Sequence, residues 1–166
     1  MRVAFISSSL SLTGTGGGVA SRRNLQFLKK YYSGTQDTIT TISFKRTNPD
    51  TSIDYSIYPP RNKYLTMFNM LLGYQGGVSR SNISSILKII KTHKIQLVFL
   101  DSSLLGSIAK IVSTISKKID CICFYHNDEV QFVSGMVKSG KWWYFPLVLG
   151  TIYQQRLCVK WCTQHI

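Results

Sequence analysis

Acidic residues are what this chain has least of. Only seven of its 166 residues are Asp or Glu, and Glu129 is its one glutamate, against twenty Lys and Arg and a net charge of +13. Without an aspartate-rich cluster there is no ligand set for a hard cation, so no metal is implied. A basic run is also missing. The longest stretches of positive charge are adjacent pairs such as Arg22-Arg23 and Lys117-Lys118, which argues against nucleic acid as a partner. Charge spread in this way suits an anionic membrane surface or phosphorylated substrates, with solubility alone as the plainer reading.

Long hydrophobic runs are absent too. The greasiest stretch, Trp142 to Tyr153, is broken by Pro146 and is too short to span a bilayer. The first apolar run is short and leads into glycines, unlike a signal peptide, so a reduced cytoplasmic setting is expected. The four cysteines show no zinc spacing. Cys121 and Cys123 alternate with apolar residues in a strand pattern, and Cys158 and Cys162 are one helical turn apart. There is no internal repeat and no low-complexity linker. With 44% hydrophobic and 16% charged residues, residues 1–166 are expected to form one globular domain.

What is present begins with the stretch from Met1 to Leu28. Val3 to Ile6 form an apolar run suited to a strand buried on both faces. A Ser, Thr and Gly loop follows, ending in Gly16-Gly17-Gly18, and then Leu25, Leu28 and Tyr32 fall at helical spacing. Helix starts carry unpaired N–H groups and partial positive charge, so they favour phosphates. Glycines allow a sharp bend and close approach of a ligand. The spacing matches neither the dinucleotide fingerprint nor a P-loop, and a plain strand-to-helix turn is an equal reading.

The pattern continues as alternating strands and helices. Asp37 to Phe44, a short segment Ile53 to Tyr58, Ile95 to Leu100 and Ile119 to Tyr125 read as strands. Tyr64 to Leu72, a segment from Ser81 carrying Ile83, Ile86, Leu87 and Ile90, and Leu104 to Ile115 read as helices. A last long helix is expected from about Phe145, with Val148, Ile152, Val159 and Cys162 on one face. Such alternation implies a mostly parallel sheet in a three-layer α/β architecture.

In open parallel sheets, ligands bind beyond the carboxyl ends of the strands. Three polar clusters follow strands here: Ser7 to Gly18, Asp101-Ser102-Ser103 and His126-Asn127-Asp128-Glu129. All three are expected on one rim, with His126 the candidate for function. Asp101 reads first as a helix N-cap, and Asp128 and Glu129 equally as the start of a helix. His93 reads as a solvated residue at a helix end. Trp142, Trp143 and Tyr144 read as core or a partner surface, with membrane contact the sharper alternative.

The opening strand RVAFISS, the loop GTGGGVASRRNLQFL, the unit IQLVFLDSSLLGSIAKIV, the strand ICFYHNDE and the final segment TIYQQRLCVKWCTQHI resemble the N-terminal domain of GT-B glycosyltransferases of family 4, the group 1 type. The resemblance implies a Rossmann-like αβα half of a GT-B fold. It implies that Gly16, Gly17 and Gly18 lie beside donor phosphates and acceptor, that His126 faces the transferred sugar, and that Asn127 and Asp128 belong to the same site. In that family a second domain binds the nucleotide sugar and carries a glutamate pair, E-x7-E, which this chain lacks. The implied role is the acceptor-side half of a retaining glycosyltransferase of polysaccharide or glycolipid synthesis. Its implied partners are a nucleotide-sugar co-substrate, a glycan or lipid-linked acceptor and a second domain or subunit; no cofactor is implied. A non-catalytic partner-binding subunit and a stand-alone nucleotide-binding domain are the alternatives.

Overall fold

The computed structural model describes residues 1–10, 15–33, 37–44, 53–59, 62–126 and 128–165. In chain order the elements are β1 (Arg2–Ser7), α1 (Gly16–Tyr32), β2 (Thr38–Phe44), β3 (Tyr55–Ile57), α2 (Lys63–Leu71), α3 (Arg80–Thr92) and β4 (Leu97–Leu100). A 3-10 turn (Ser103–Leu105), α4 (Gly106–Ile115), β5 (Asp120–Cys123) and α5 (Glu129–Lys138) follow. A second 3-10 turn (Trp142–Tyr144), α6 (Phe145–Trp161) and β6 (Gln164–His165) complete the fold.

The six strands form one sheet in the order β3-β2-β1-β4-β5-β6, and every pairing is parallel. The chain therefore builds outward from β1 to β3, crosses back, and continues outward from β4. This is the Rossmann-like arrangement, and the order reverses between β1 and β4. The central strands are apolar because both their faces are covered: Val3, Ala4, Phe5 and Ile6 are fully buried, as are Val98 and Leu100.

The two faces are covered differently. On one, Leu25 and Leu28 of α1 pack on Phe5 and Phe99, and the rings of Phe5, Phe99 and Phe124 form a row with centroids 5.5 and 6.5 Å apart. On the other, Ile86 and Ile90 of α3, Ile108 and Val112 of α4 and Cys158 of α6 cover Ala4, Ile6, Val98 and Leu100. Helix, sheet and helix make the three layers expected from the sequence.

Two expectations about the C-terminal part are corrected. The last helix stops at Trp161, and the chain turns at Cys162 into β6, which pairs with Ile122 and Cys123. Val159 is exposed, and the buried face of α6 is formed by Val148, Gly150, Thr151, Gln154, Leu157 and Cys158. That face is partly polar because it hydrogen-bonds its neighbours. Gln154 Oε1 accepts from Ser107 N at 2.7 Å, and its Nε2 donates to the Gly73 carbonyl. Thr151 Oγ1 donates to Gln75 Oε1 at 3.0 Å.

Candidate functional site

Three polar groups meet where the strand order reverses. Ser7 ends β1, Asp101 follows β4 and His126 follows β5, and side-chain hydrogen bonds join them. Ser7 Oγ donates to Asp101 Oδ2 at 2.9 Å and lies 3.1 Å from Ser21 Oγ of α1. Asn24 Nδ2, one turn further along α1, donates to Asp101 Oδ1 at 2.8 Å. His126 Nε2 lies 2.7 Å from the Asp101 carbonyl oxygen and 3.2 Å from Asp101 Oδ1. Both neighbours are acceptors, so Nε2 carries a proton.

Asp101 is completely buried, and its three donors replace the water it gives up. The expected N-cap role is therefore corrected. The cap of the following turn is Ser102, whose side chain accepts from Leu104 N. Ser102 and Ser103 also donate to the two carboxylate oxygens of Glu129, which ties α5 to the same strand end.

His126 is fixed on a second side by Phe124, whose ring meets it edge-on at 5.2 Å. Only 7% of its side chain is exposed. With Nε2 engaged, Nδ1 is buried and has no hydrogen-bond partner among the described residues. The bond to Asp101 raises the His126 pKa above its ordinary value, while burial pulls the other way. Glu129 is close enough to favour the charged form as well.

A stability profile follows from that direction. The folded state holds the His126 proton more tightly than the unfolded chain does. The resulting stabilisation is fully present below about pH 6.5, and it is lost as pH rises through the higher folded-state value. Urea midpoints of the wild type and His126→Gln, measured between about pH 6 and pH 9, should show the wild type losing more stability than the variant as pH rises.

The glycine segment lies beside this cluster. Ser7 Oγ accepts from Ser9 N and Leu10 N at 3.1 and 3.0 Å, and a Cβ on Gly17 would approach Ser9 Oγ to 3.3 Å. Thr15 caps α1 by accepting from Gly18 N at 3.2 Å, so that amide is already engaged. Gly16, Gly17 and Gly18 all sit in α1 with negative φ; among the described residues the left-handed glycines are Gly73, Gly76, Gly77 and Gly140. A sharp bend thus does not explain these three glycines. A Cβ on Gly16 would meet nothing within 4 Å, whereas Gly17 faces Ser9 and Gly18 is buried, so room for an approaching group is left at Gly16.

The remaining expected residues divide. Asp128 is the N-cap of α5, accepting from Gln131 N at 2.9 Å, so its structural reading holds. Asn127 lies outside the described residues. His93 is corrected from a solvated residue to a packed one: its Nε2 lies 2.7 Å from Tyr55 Oη, with the two rings edge-on. Ser7 belongs to a polar cluster the sequence analysis places on this rim, whereas Ser21 and Asn24 are not singled out there. Ser7, which closes β1 after the apolar run Val3 to Ile6, carries that signal; Asn24 gives none. A concavity of about 520 Å³ between α3 and α4 is lined by Lys94, Gln96 and Ile119. It lies at the amino ends of the strands, the end that open parallel sheets do not use for ligands.

The class these observations define is a Rossmann-like α/β domain with a polar, hydrogen-bonded rim at the switch point of its sheet. Comparison of the chain with protein-family models, with curated proteins and with solved structures finds no match in any of the three.

Proposed function

We propose that the chain is the acceptor-side half of a retaining, nucleotide-sugar-dependent glycosyltransferase serving cell-surface polysaccharide or glycolipid synthesis in the cytoplasm. One observation carries the reading: the ends of β1, β4 and β5 converge through Ser7, Asp101 and His126 on a rim bordered by the start of α1.

On this reading the Gly16 and Gly17 amides and the positive end of α1 meet the phosphate oxygens of the donor. With Nε2 held by Asp101, the ring nitrogen left to meet the transferred sugar is Nδ1, which is buried without a partner among the described residues and must be uncovered as the sugar enters. In the doubly protonated ring, the form Asp101 favours, Nδ1–H donates a hydrogen bond that strengthens as negative charge develops on the leaving group, and it makes no nucleophilic attack. Asp101 acts as a positioning residue that fixes the ring and its protonation. The nucleotide is bound mainly by a second unit, since this chain carries no E-x7-E pair. A glycan or lipid-linked acceptor completes the site, and no cofactor takes part.

The purified chain, incubated alone with a panel of nucleotide sugars and glycan or lipid acceptors, is expected to fold and to give no product. Sustained turnover by the chain alone would contradict the half-site reading. Combined with the unit that binds the donor, transfer should return. Gly17→Val should then abolish it by pressing on Ser9, whose amide bonds Ser7 Oγ, and so displacing the start of α1 from the rim, whereas Asp128→Ala, which loses only a helix cap worth about 1 kcal/mol, should leave transfer largely intact.

A further inference from the structure

α2 is amphipathic in the wrong direction for a helix that packs by its greasy side. Tyr64, Met67, Phe68 and Leu71 lie at the spacing of one helical stripe, and they are 71%, 61%, 56% and 68% exposed. The side turned inward is built on a polar residue instead. Asn69 is buried, donates to the Leu65 carbonyl at 2.8 Å and accepts from Arg80 N at 3.4 Å.

The stripe is not isolated. The end of α2 and the first turns of α6 enclose a groove of about 320 Å³ lined by Met70, Leu72, Pro146, Leu149 and Tyr153. Trp142, Trp143, Phe145 and Leu149 extend the apolar surface and are each more than half exposed. Buried amides hold the two parts together. Gln75 Nε2 donates to the Leu147 carbonyl at 3.0 Å, and a Cβ on Gly150 would overlap that amide.

The location of this surface follows from its contacts. Gly77 packs on Phe44 at the end of β2, and Gly76 packs on Leu104 and Leu105 just past β4. Further along α6, Cys158 Sγ lies 3.5 Å from the Ser103 carbonyl, while Thr163 N bonds the Cys121 carbonyl near the start of β5. α6 thus descends along the sheet from residue 158 onward, and its first turns project past the carboxyl ends of the strands. The apolar surface stands at the same end of the sheet as the His126 rim.

Charge selects the occupant. The chain has no Asp or Glu between residues 55 and 100 and none after Glu129. Arg80 beside α2, and Lys138 and Lys141 before Trp142, are exposed. Apolar side chains with interfacial aromatics, flanked only by positive charge, match an anionic lipid surface. No helix among the described residues is long and apolar enough to cross a membrane, so the contact is lateral. We propose that the α2 stripe and the Trp142–Leu149 segment form a docking surface for an anionic lipid bilayer. The proposal does not depend on the glycosyltransferase reading, and its test involves no sugar transfer.

The experiment is co-sedimentation of the full chain with phosphatidylglycerol-containing vesicles and with pure phosphatidylcholine vesicles across a salt series. Binding is expected on the anionic vesicles and should weaken as salt rises. The exposed triple variant Met67→Gln/Phe68→Gln/Leu71→Gln and the double variant Trp142→Gln/Trp143→Gln should each reduce it about tenfold or more, with unchanged circular dichroism. Failure to bind anionic vesicles overturns the proposal. So does equal binding to neutral vesicles, full binding by both variants, or self-association in vesicle-free buffer that the triple variant abolishes.

Discussion

Asp101→Ala is expected to cost roughly 3–5 kcal/mol of folding stability, the loss typical of removing one partner from a buried charged network. Asp101 is fully buried and serves Ser7 Oγ, Asn24 Nδ2 and His126 Nε2 at once. Truncation leaves these groups inside the protein without their acceptor, and each unsatisfied buried donor costs about 1–3 kcal/mol. His126 keeps its contact with the Asp101 backbone carbonyl, which holds the loss below the sum of three. Asp101→Asn keeps the shape but turns one acceptor into a donor, so it should fall between wild type and alanine. Urea denaturation of the three proteins near neutral pH checks the order. A loss under about 1 kcal/mol for Asp101→Ala would mean that the network contributes little.

The second large effect is steric. Gly106 opens α4 where α6 crosses it, and a Cβ there would overlap the Gln154 carbonyl and come within 2.9 Å of Leu157 Cβ. The obstacle is backbone, so no rotamer change relieves it, and the two helices must separate. Gly106→Ala should therefore destabilise by about 3 kcal/mol, the upper part of the usual overpacking range. Gly135 in α5 is the control, because a Cβ there meets nothing within 4 Å. Gly135→Ala should be neutral or stabilising by up to about 1 kcal/mol through helix propensity. Thermal melts of the pair separate crowding from any general effect of adding a methyl group.

The strands were legible because burial on both faces demands continuous apolar runs, and Val3 to Ile6 and Leu97 to Leu100 have little other use. The covering helices were legible wherever their inner face is apolar, as in α3. α6 broke that rule: Thr151 and Gln154 face inward to satisfy Gln75, Ser107 and Gly73, and periodicity in hydrophobicity cannot see a hydrogen-bonded face. α2 broke it from the other side, since its stripe is regular but points outward. β6 is two residues long and owes its pairing to β5, so nothing local announces it.

The candidate site shows the same division. His126 could be placed from the strand that precedes it and the rule for parallel sheets. The meaning of Asp101 could not, because Asp-Ser-Ser is also what a helix cap looks like, and only the approach of Ser7, Asn24 and His126 decides between the readings. The glycines were legible as a connection. Their negative φ values, which exclude a sharp bend as the explanation, needed coordinates.

On the proposed function, the rim around His126 is a sugar-phosphate site. The direct test is an NMR titration of the isotopically labelled chain with UDP-glucose as a representative nucleotide sugar, up to about 10 mM to reach weak half-site affinity. Shifts are expected at the Gly16 and Gly17 amides and at the His126 ring, lost together in Gly17→Val. No perturbation at these positions, or shifts confined to the α3–α4 end of the sheet, would contradict it.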